Sequence, residues 1–356
     1  MFGENVLLFY YPSRDLGPLH NTGLVRQILP YSNNVKVHKA PSSKHAVSVE
    51  SIRSQVAINA SVAETEKVLF NRLARDIMDA DSHFADGTTF GGIDKVIAVT
   101  DTGLDLGLLH DMHPAFQDRV LDPISVGRQG QADDPHGHGT HVSGSVLGNS
   151  LAAQGEGELS GTAPAARLVL QSLLNENQGL FSHNHYPLGE LLLGPYHNNK
   201  ARIHNNSWGG QMLLYSDECM EINTAVWEHP DHLICFAAGN DGDRAPRATP
   251  RGQAAAKNCL TVDATESSRP SVHGIYVPGK TSRNDVTVSW YSNRGPTREG
   301  RIKPVVVAPD TAILSAQSRA AATADDYGPS PNPLFTYSTG TSMATPLVAG
   351  AAAVLR

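Results

Sequence analysis

The sequence predicts an α/β protein with a mostly parallel central sheet and helices on both faces. Its short apolar runs are rich in Val, Ile and Leu without strict alternation, as strands buried on both sides should be. Segments of helical character lie between several of them. Polar motifs follow the runs directly, at Asp101, Asn206-Ser207 and Gly239-Asn240. In open parallel sheets ligands bind beyond those carboxyl ends.

Composition bounds the function. The 356 residues are enough for a full core in one large domain or two modest ones, and 40% hydrophobic with 18% charged residues describes an ordinary globular chain. A formal charge of −7 gives no footing for nucleic acid as a partner. No apolar run reaches the roughly 18–20 residues of a membrane span, so no membrane partner is expected. The opening Met1–Pro12 is too short, and carries Glu4 where a signal peptide needs basic residues. Cys219, Cys235 and Cys259 are too few and odd in number for a disulfide framework; Cys235 and Cys259 lie in apolar runs and read as core thiols.

Taken in order, residues 1–70 are polar and Ser-rich, with Pro12, Pro18, Pro30 and Pro41, and hold no catalytic signature. A helix is expected from about Val62 to Met78. Strands are expected at Lys95–Thr100, Arg167–Leu174, Ala201–Asn206, His232–Ala238, Asn258–Ala264 and Lys303–Ala308. Helices are expected at Thr140–Leu147, about Glu190–Asn198, and Met343–Arg356, the last with Pro346 in its first turn, where a missing N–H costs nothing.

Three stretches carry chemistry: Val99-Thr-Asp101-Thr-Gly103, His138-Gly-Thr-His141-Val-Ser-Gly144 and Gly340-Thr-Ser342-Met-Ala-Thr-Pro346. Each sets an acid, an imidazole or a hydroxyl among small residues, so that a substrate backbone can come close. Ser342 at a helix start suits a nucleophile whose developing charge the dipole favours, although an N-cap needs the same residue. His138 is the candidate general base. Asp101 would hold its tautomer, with Asp105 as the rival carboxylate. Asn240 is the candidate oxyanion donor, or an Asn in a Gly-rich turn. His136, His138 and His141 near Asp133 and Asp134 allow a metal-site reading, but without a His-Glu-x-x-His pattern or a placed third ligand. Met343, beside Ser342, is an oxidation hazard.

In these motifs, and in their Asp-His-Ser order, the chain resembles the subtilisin-like serine proteases. Further matching stretches are Gly161–Ala165, Asn206–Gly210, Ala256–Val262 and Ser292–Pro304. Within the family it is most similar to the oxidation-stable alkaline proteases with a C-terminal β-sandwich domain, through Asp101–Asp105, Gly144–Asn149, Leu168–Ser172, Ala201–His204 and Ala264–Ser271. The resemblance implies a three-layer fold and a catalytic domain over residues 71–356, C-terminally truncated and without the β-sandwich. Residues 1–70 would be a pro-segment or N-terminal extension. It implies a serine endopeptidase with Asp101, His138 and Ser342 as triad and Asn240 in the oxyanion hole. A catalytically inactive or truncated protein of the same fold is the alternative. An extended peptide would lie between Ser207-Trp208-Gly209 and Gly179-Leu180. The S1 pocket would be walled by Ser207, Trp208, Gly209, Ala237, Ala238 and Gly239, with room for a large side chain. Polypeptide substrates, a monomer, secretion and bound structural calcium with no assigned ligands are also implied, and no cofactor for catalysis. Val305 departs from the family pattern, and so do Asp263 and Asp310, which stand where the family has Gly. If those glycines need φ > 0, each Asp costs stability.

Overall fold

Strand β1 (Val96–Asp101) is buried along its whole length and lies at the centre of a seven-stranded sheet. The computed structural model describes residues 74, 75, 78, 91–150, 159–177, 179–180, 187–210, 215–242, 250–267, 287–322 and 332–356. In chain order the strands are β1, β2 (Val120–Ser125), β3 (Asn149–Ser150), β4 (Leu159–Ser160), β5 (Arg167–Ser172), β6 (Ile203–Asn206), β7 (Leu233–Ala237), β8 (Leu260–Thr265), β9 (Val306–Pro309), β10 (Ile313–Ala316) and β11 (Phe335–Ser338). The large sheet runs β2-β5-β1-β6-β7-β8-β9, and every pairing in it is parallel. Two antiparallel pairs, β3 with β4 and β10 with β11, stand apart.

Alternation along the strands divides the core into layers. Ile97, Val99, Leu168, Leu170, Ile203 and Cys235 join one cluster with Val142, Val146, Met343 and Leu347. Those partners come from helices α1 (His138–Leu147) and α4 (Thr341–Leu355), which also pack on each other. On the opposite face Ile234 and Phe236 join Leu188, Leu191, Leu192, Cys219 and Ile222 from helices α2 (Leu188–Asn199) and α3 (Asp217–Glu228). This is the three-layer arrangement the sequence predicts.

Most differences lie at the edges. β2 was not expected: it is an edge strand, half-buried, and holds Pro123, which only an edge tolerates. Helix α1 begins at His138 rather than Thr140, and α4 at Thr341 rather than Met343. Pro346 is therefore the sixth residue of α4, not a first-turn residue, and its missing N–H falls on the carbonyl of Ser342. The three cysteines are buried and free. Asp263 and Asp310 are also buried, and neither has a positive φ, so both replace the family's Gly without backbone strain. Burial raises Asp263 to about 6 and Asp310 to about 7. Of the helix expected over Val62–Met78 only Ala74, Arg75 and Met78 are described, and residues 1–70 lie outside the described residues. No described helix is long and apolar enough to cross a membrane.

Candidate active site

Asp101, Ser207 and Asn240 sit at the carboxyl ends of β1, β6 and β7, which are neighbours in the sheet. Strands lie about 4.8 Å apart, so topology alone gathers these residues along one short stretch of edge. Asp101 is 1% exposed, and its Oδ1 accepts from the Thr102 amide at 2.8 Å and pairs with His138 Nδ1 at 2.7 Å.

His138 reaches that carboxylate because the start of α1 is pinned. Gly137 caps the helix at φ 84, donating its N–H to Asp134 Oδ1 at 2.9 Å. Asp134 Oδ1 also accepts from the Thr102 hydroxyl, and Oδ2 accepts from the amide and hydroxyl of Thr140. One buried carboxylate thus holds the residue after Asp101 and the first turn of the His138 helix. Gly139 allows the close approach: a Cβ there would stand 2.4 Å from the Gly103 carbonyl oxygen. Sequence reasoning weighed Asp134 only as a metal ligand. Its spacing, four residues before the helix start, was the available signal.

The rival carboxylate is excluded by its partner. Asp105 is wholly buried and takes Nε and the Arg319 backbone amide on Oδ1 and both Nε and NH2 of the guanidinium on Oδ2. Burial pushes its pKa up, but the Arg319 hydrogen bonds and charge outweigh that and hold it below the usual carboxylate range. His141 is likewise committed, its Nε2 lying 2.9 Å from the Ile313 carbonyl. Burial lowers His141 to about 4, as a core imidazole requires. Among the described residues no three or more His, Cys, Asp or Glu side chains converge as cation ligands, so the His136/His138/His141 reading finds no fitting set there. For His138 itself burial lowers the pKa, but the charge and hydrogen bond of Asp101 dominate and leave it above 6.5.

Ser342 is the second residue of α4, where backbone amides have no intrahelical acceptor. Its Oγ donates to the Ser207 carbonyl at 2.9 Å, and the Ser207 hydroxyl donates to the Ser342 carbonyl at 2.9 Å. The second bond serves the carbonyl left without a partner by Pro346. Asn240 Oδ1 accepts from the amide and hydroxyl of Thr341, each at 3.0 Å. A backbone N–H can only donate, so the side-chain oxygen is fixed toward Thr341 and the exposed amide's Nδ2 is left for another acceptor. Gly239, at φ 102, donates to the Thr341 hydroxyl at 3.2 Å. Asn240 therefore grips Thr341, the first residue of α4 and the one before Ser342.

The residues expected to line a cleft divide by exposure. Gly209 is exposed and Gly239 half-buried, whereas Ser207, Ala237 and Ala238 are 4%, 7% and 2% exposed. Trp208 packs edge-on against Phe236 with ring centroids 5.6 Å apart, so it belongs largely to the core beneath. Leu180, on the other expected edge, is 49% exposed and bridges to Leu174. Met343 is 1% exposed in the core between α4 and the sheet, which removes the oxidation hazard read from its position.

Comparison with known proteins identifies a family. Residues 92–356 match the family described as the subtilase family. Serine protease AprX of Bacillus subtilis (strain 168) is 28% identical over 369 residues, covering 94% of this chain and 76% of AprX. Serine protease/ABC transporter B family protein tagD of Dictyostelium discoideum is 28% identical over 352 residues, which take in 74% of this chain and only 18% of that protein. A solved structure described as S41 Psychrophilic Protease superposes with a TM-score of 0.53 at 25% identity, over 74% of this chain and 77% of its own.

Proposed function

This chain belongs to the subtilase family, and from that premise we propose that it is a serine endopeptidase acting through an acyl-enzyme. The observation that carries the reading is the 2.7 Å pairing of His138 Nδ1 with the buried Asp101; it is supported by Asn240 bonding Thr341 and by Ser342 bonding Ser207, at the carboxyl ends of the neighbouring strands. With Nδ1–H donated to Asp101, the basic nitrogen is Nε2. Ser342 Oγ leaves the Ser207 carbonyl, passes its proton to Nε2 and attacks the peptide carbonyl carbon. The oxygen of that carbonyl becomes negative and accepts from the Ser342 amide and from Asn240 Nδ2. The imidazolium, steadied by Asp101, then protonates the leaving amine. Water enters, gives its proton to Nε2 and releases the acid, restoring Ser342.

Polypeptides are the substrate class of the family. A cleft between residues 207–209 and 179–180 would hold them extended by backbone hydrogen bonds. A large P1 side chain beside Gly209 and Gly239 is part of the proposal, and higher turnover of an Ala than of a Leu or Phe peptide would refute it. Processing near residue 70, export and a monomeric state rest on the family resemblance alone. The deciding experiment is labelling with a fluorophosphonate probe. Labelling of the chain and its loss in Ser342→Ala are expected; labelling that persists in Ser342→Ala would place the nucleophile elsewhere.

A further inference from the structure

Two acidic residues where the resemblance calls for glycine, Asp263 and Asp310, bear on how the site is held. Both are buried beside β8 and β9, and both close on the loop Ser289–Asn293. Asp310 Oδ1 accepts from the Ser289 hydroxyl at 2.8 Å, and Oδ2 accepts from the Tyr291 hydroxyl. Asp263 Oδ1 accepts from the Ser292 hydroxyl and from the Ala264 amide. The loop in turn supports the Asn240 turn from below. Asn293 donates its amide to the Gly239 carbonyl at 2.9 Å and its Nδ2 to the Ala238 carbonyl at 2.9 Å, and its Oδ1 accepts from the Asp241 amide at 3.0 Å. Gly242 donates to the Tyr291 carbonyl at 2.6 Å. Space is tight: a Cβ on Gly239 would stand 2.3 Å from Asn293 Nδ2.

Asp310 Oδ1 has one more partner, the Thr311 hydroxyl at 3.1 Å, which holds the carboxylate at the end of β9. The same carboxylate therefore joins β9 to the loop that braces the Asn240 turn.

We propose that Asp310 is a positioning residue for the hydrolysis, its carboxylate holding the Ser289–Asn293 loop beneath Gly239 and Asp241 and so setting where the Asn240 amide stands relative to Ser342. The inference rests on the roles proposed above for Ser342 and Asn240. Asp263 grips the same loop at one point, Ser292, against the two hydroxyls that Asp310 holds. A misplacement on the order of 1 Å can cost about 100-fold in rate. The effect should fall on the transition state, because ground-state contacts with an extended peptide lie elsewhere in the cleft.

The test uses the full chain with a chromogenic peptide, measuring kcat and KM for Asp310→Ala, Asp310→Asn and Tyr291→Phe. A fall of about tenfold to 100-fold in kcat is expected for Asp310→Ala, with KM within about twofold and a matching loss of affinity for a peptide boronic acid. Asp310→Asn keeps an acceptor for one of the two loop hydroxyls and should recover part of kcat. Tyr291→Phe removes only one hydroxyl, so it reports on the tie even if Asp310→Ala does not fold. Wild-type kcat in Tyr291→Phe and Asp310→Asn, or equal losses in kcat and in melting temperature with no recovery in Asp310→Asn, would overturn the proposal. Ser342→Ala serves as the reference. If it retains turnover, the endopeptidase reading itself has failed, whereas an inactive Ser342→Ala beside fully active Asp310 variants removes only the positioning role.

Discussion

The reciprocal bonds between Ser207 and Ser342 make a demanding test of the site's local physics. Pro346 cannot donate to the Ser342 carbonyl four residues earlier, and the Ser207 hydroxyl takes over that acceptor at 2.9 Å. Ser207→Ala strips the carbonyl of its partner, and also frees Asn205 Nδ2, which donates to the same hydroxyl at 3.1 Å. Leaving one buried polar group unsatisfied costs about 1–3 kcal/mol, and two are left here, so a loss of about 2–6 kcal/mol is expected. Pro346→Ala restores an N–H that can bond the Ser342 carbonyl within the helix. The Ser207→Ala penalty should then shrink by about 1 kcal/mol, the typical net worth of one hydrogen bond. Urea unfolding of the four proteins of this cycle measures the coupling, and working near pH 5, where His138 is protonated, limits self-digestion. Penalties equal in both backgrounds to within about 0.5 kcal/mol would show that the two residues do not share that carbonyl.

The raised pKa of His138 predicts that kcat/KM climbs with pH through an inflection above 6.5, since only neutral imidazole accepts the Ser342 proton; an inflection below 6 would break the link to Asp101. Asn240→Ala should lower kcat by about 100-fold to 1,000-fold, as loss of the oxyanion-hole Asn does in subtilisin; unchanged kcat would remove its side chain from the oxyanion hole. Acid stability has two opposed parts. His141, His204 and His232 are buried neutral at about 4, 3 and 4, so stability is complete above their unfolded value near 6.5 and is lost as pH falls. Asp263 and Asp310, raised to about 6 and about 7, favour the protonated form in the fold and so gain stability as pH falls toward 4. One such group changes the slope by up to about 1.4 kcal/mol per pH unit, so the loss between about pH 6 and 4.5 is expected to steepen by about that much in Asp263→Asn; an unchanged slope in that variant would refute the assignment. Dilute peroxide should oxidise Met220, 52% exposed, before Met343, 1% exposed, as peptide mapping can resolve.

How much of the fold was legible depended on whether a segment's sequence alone shows its environment. β1, β5, β6, β7, β8 and β9 were readable because strands covered on both faces must be apolar at consecutive positions, as Ile97, Ala98 and Val99 are. β2 escaped notice because an edge strand keeps one side open, and Asp122 with Pro123 breaks the apolar run. The two-residue strands β3 and β4 are shorter than any periodicity can register. Helix α3 was not singled out either: Met220 and Trp227 are exposed on it, so apolar residues occur on its outer side as well as its inner one.

The site divides in the same way. Asp101, His138, Ser342 and Asn240 announce themselves because small residues must surround groups that meet a substrate backbone. Choosing between Asp101 and Asp105 was beyond local reading, since the arginine that claims Asp105 lies 214 residues downstream. Ser207, Asp134 and Asn293 act through partners that only folding brings near.

The departures from the family pattern carry the sharper lesson. Asp263 and Asp310 at glycine positions suggest a backbone penalty, and the backbone there is ordinary. What each aspartate brings instead is a carboxylate that must be satisfied in the interior, and hydroxyls of Ser289, Tyr291 and Ser292 supply the partners. An unpaired buried carboxylate would be far costlier than a strained φ, so acid and hydroxyl loop make sense only together. The substitution and its loop form one unit, and it sits beneath the turn that holds Asn240.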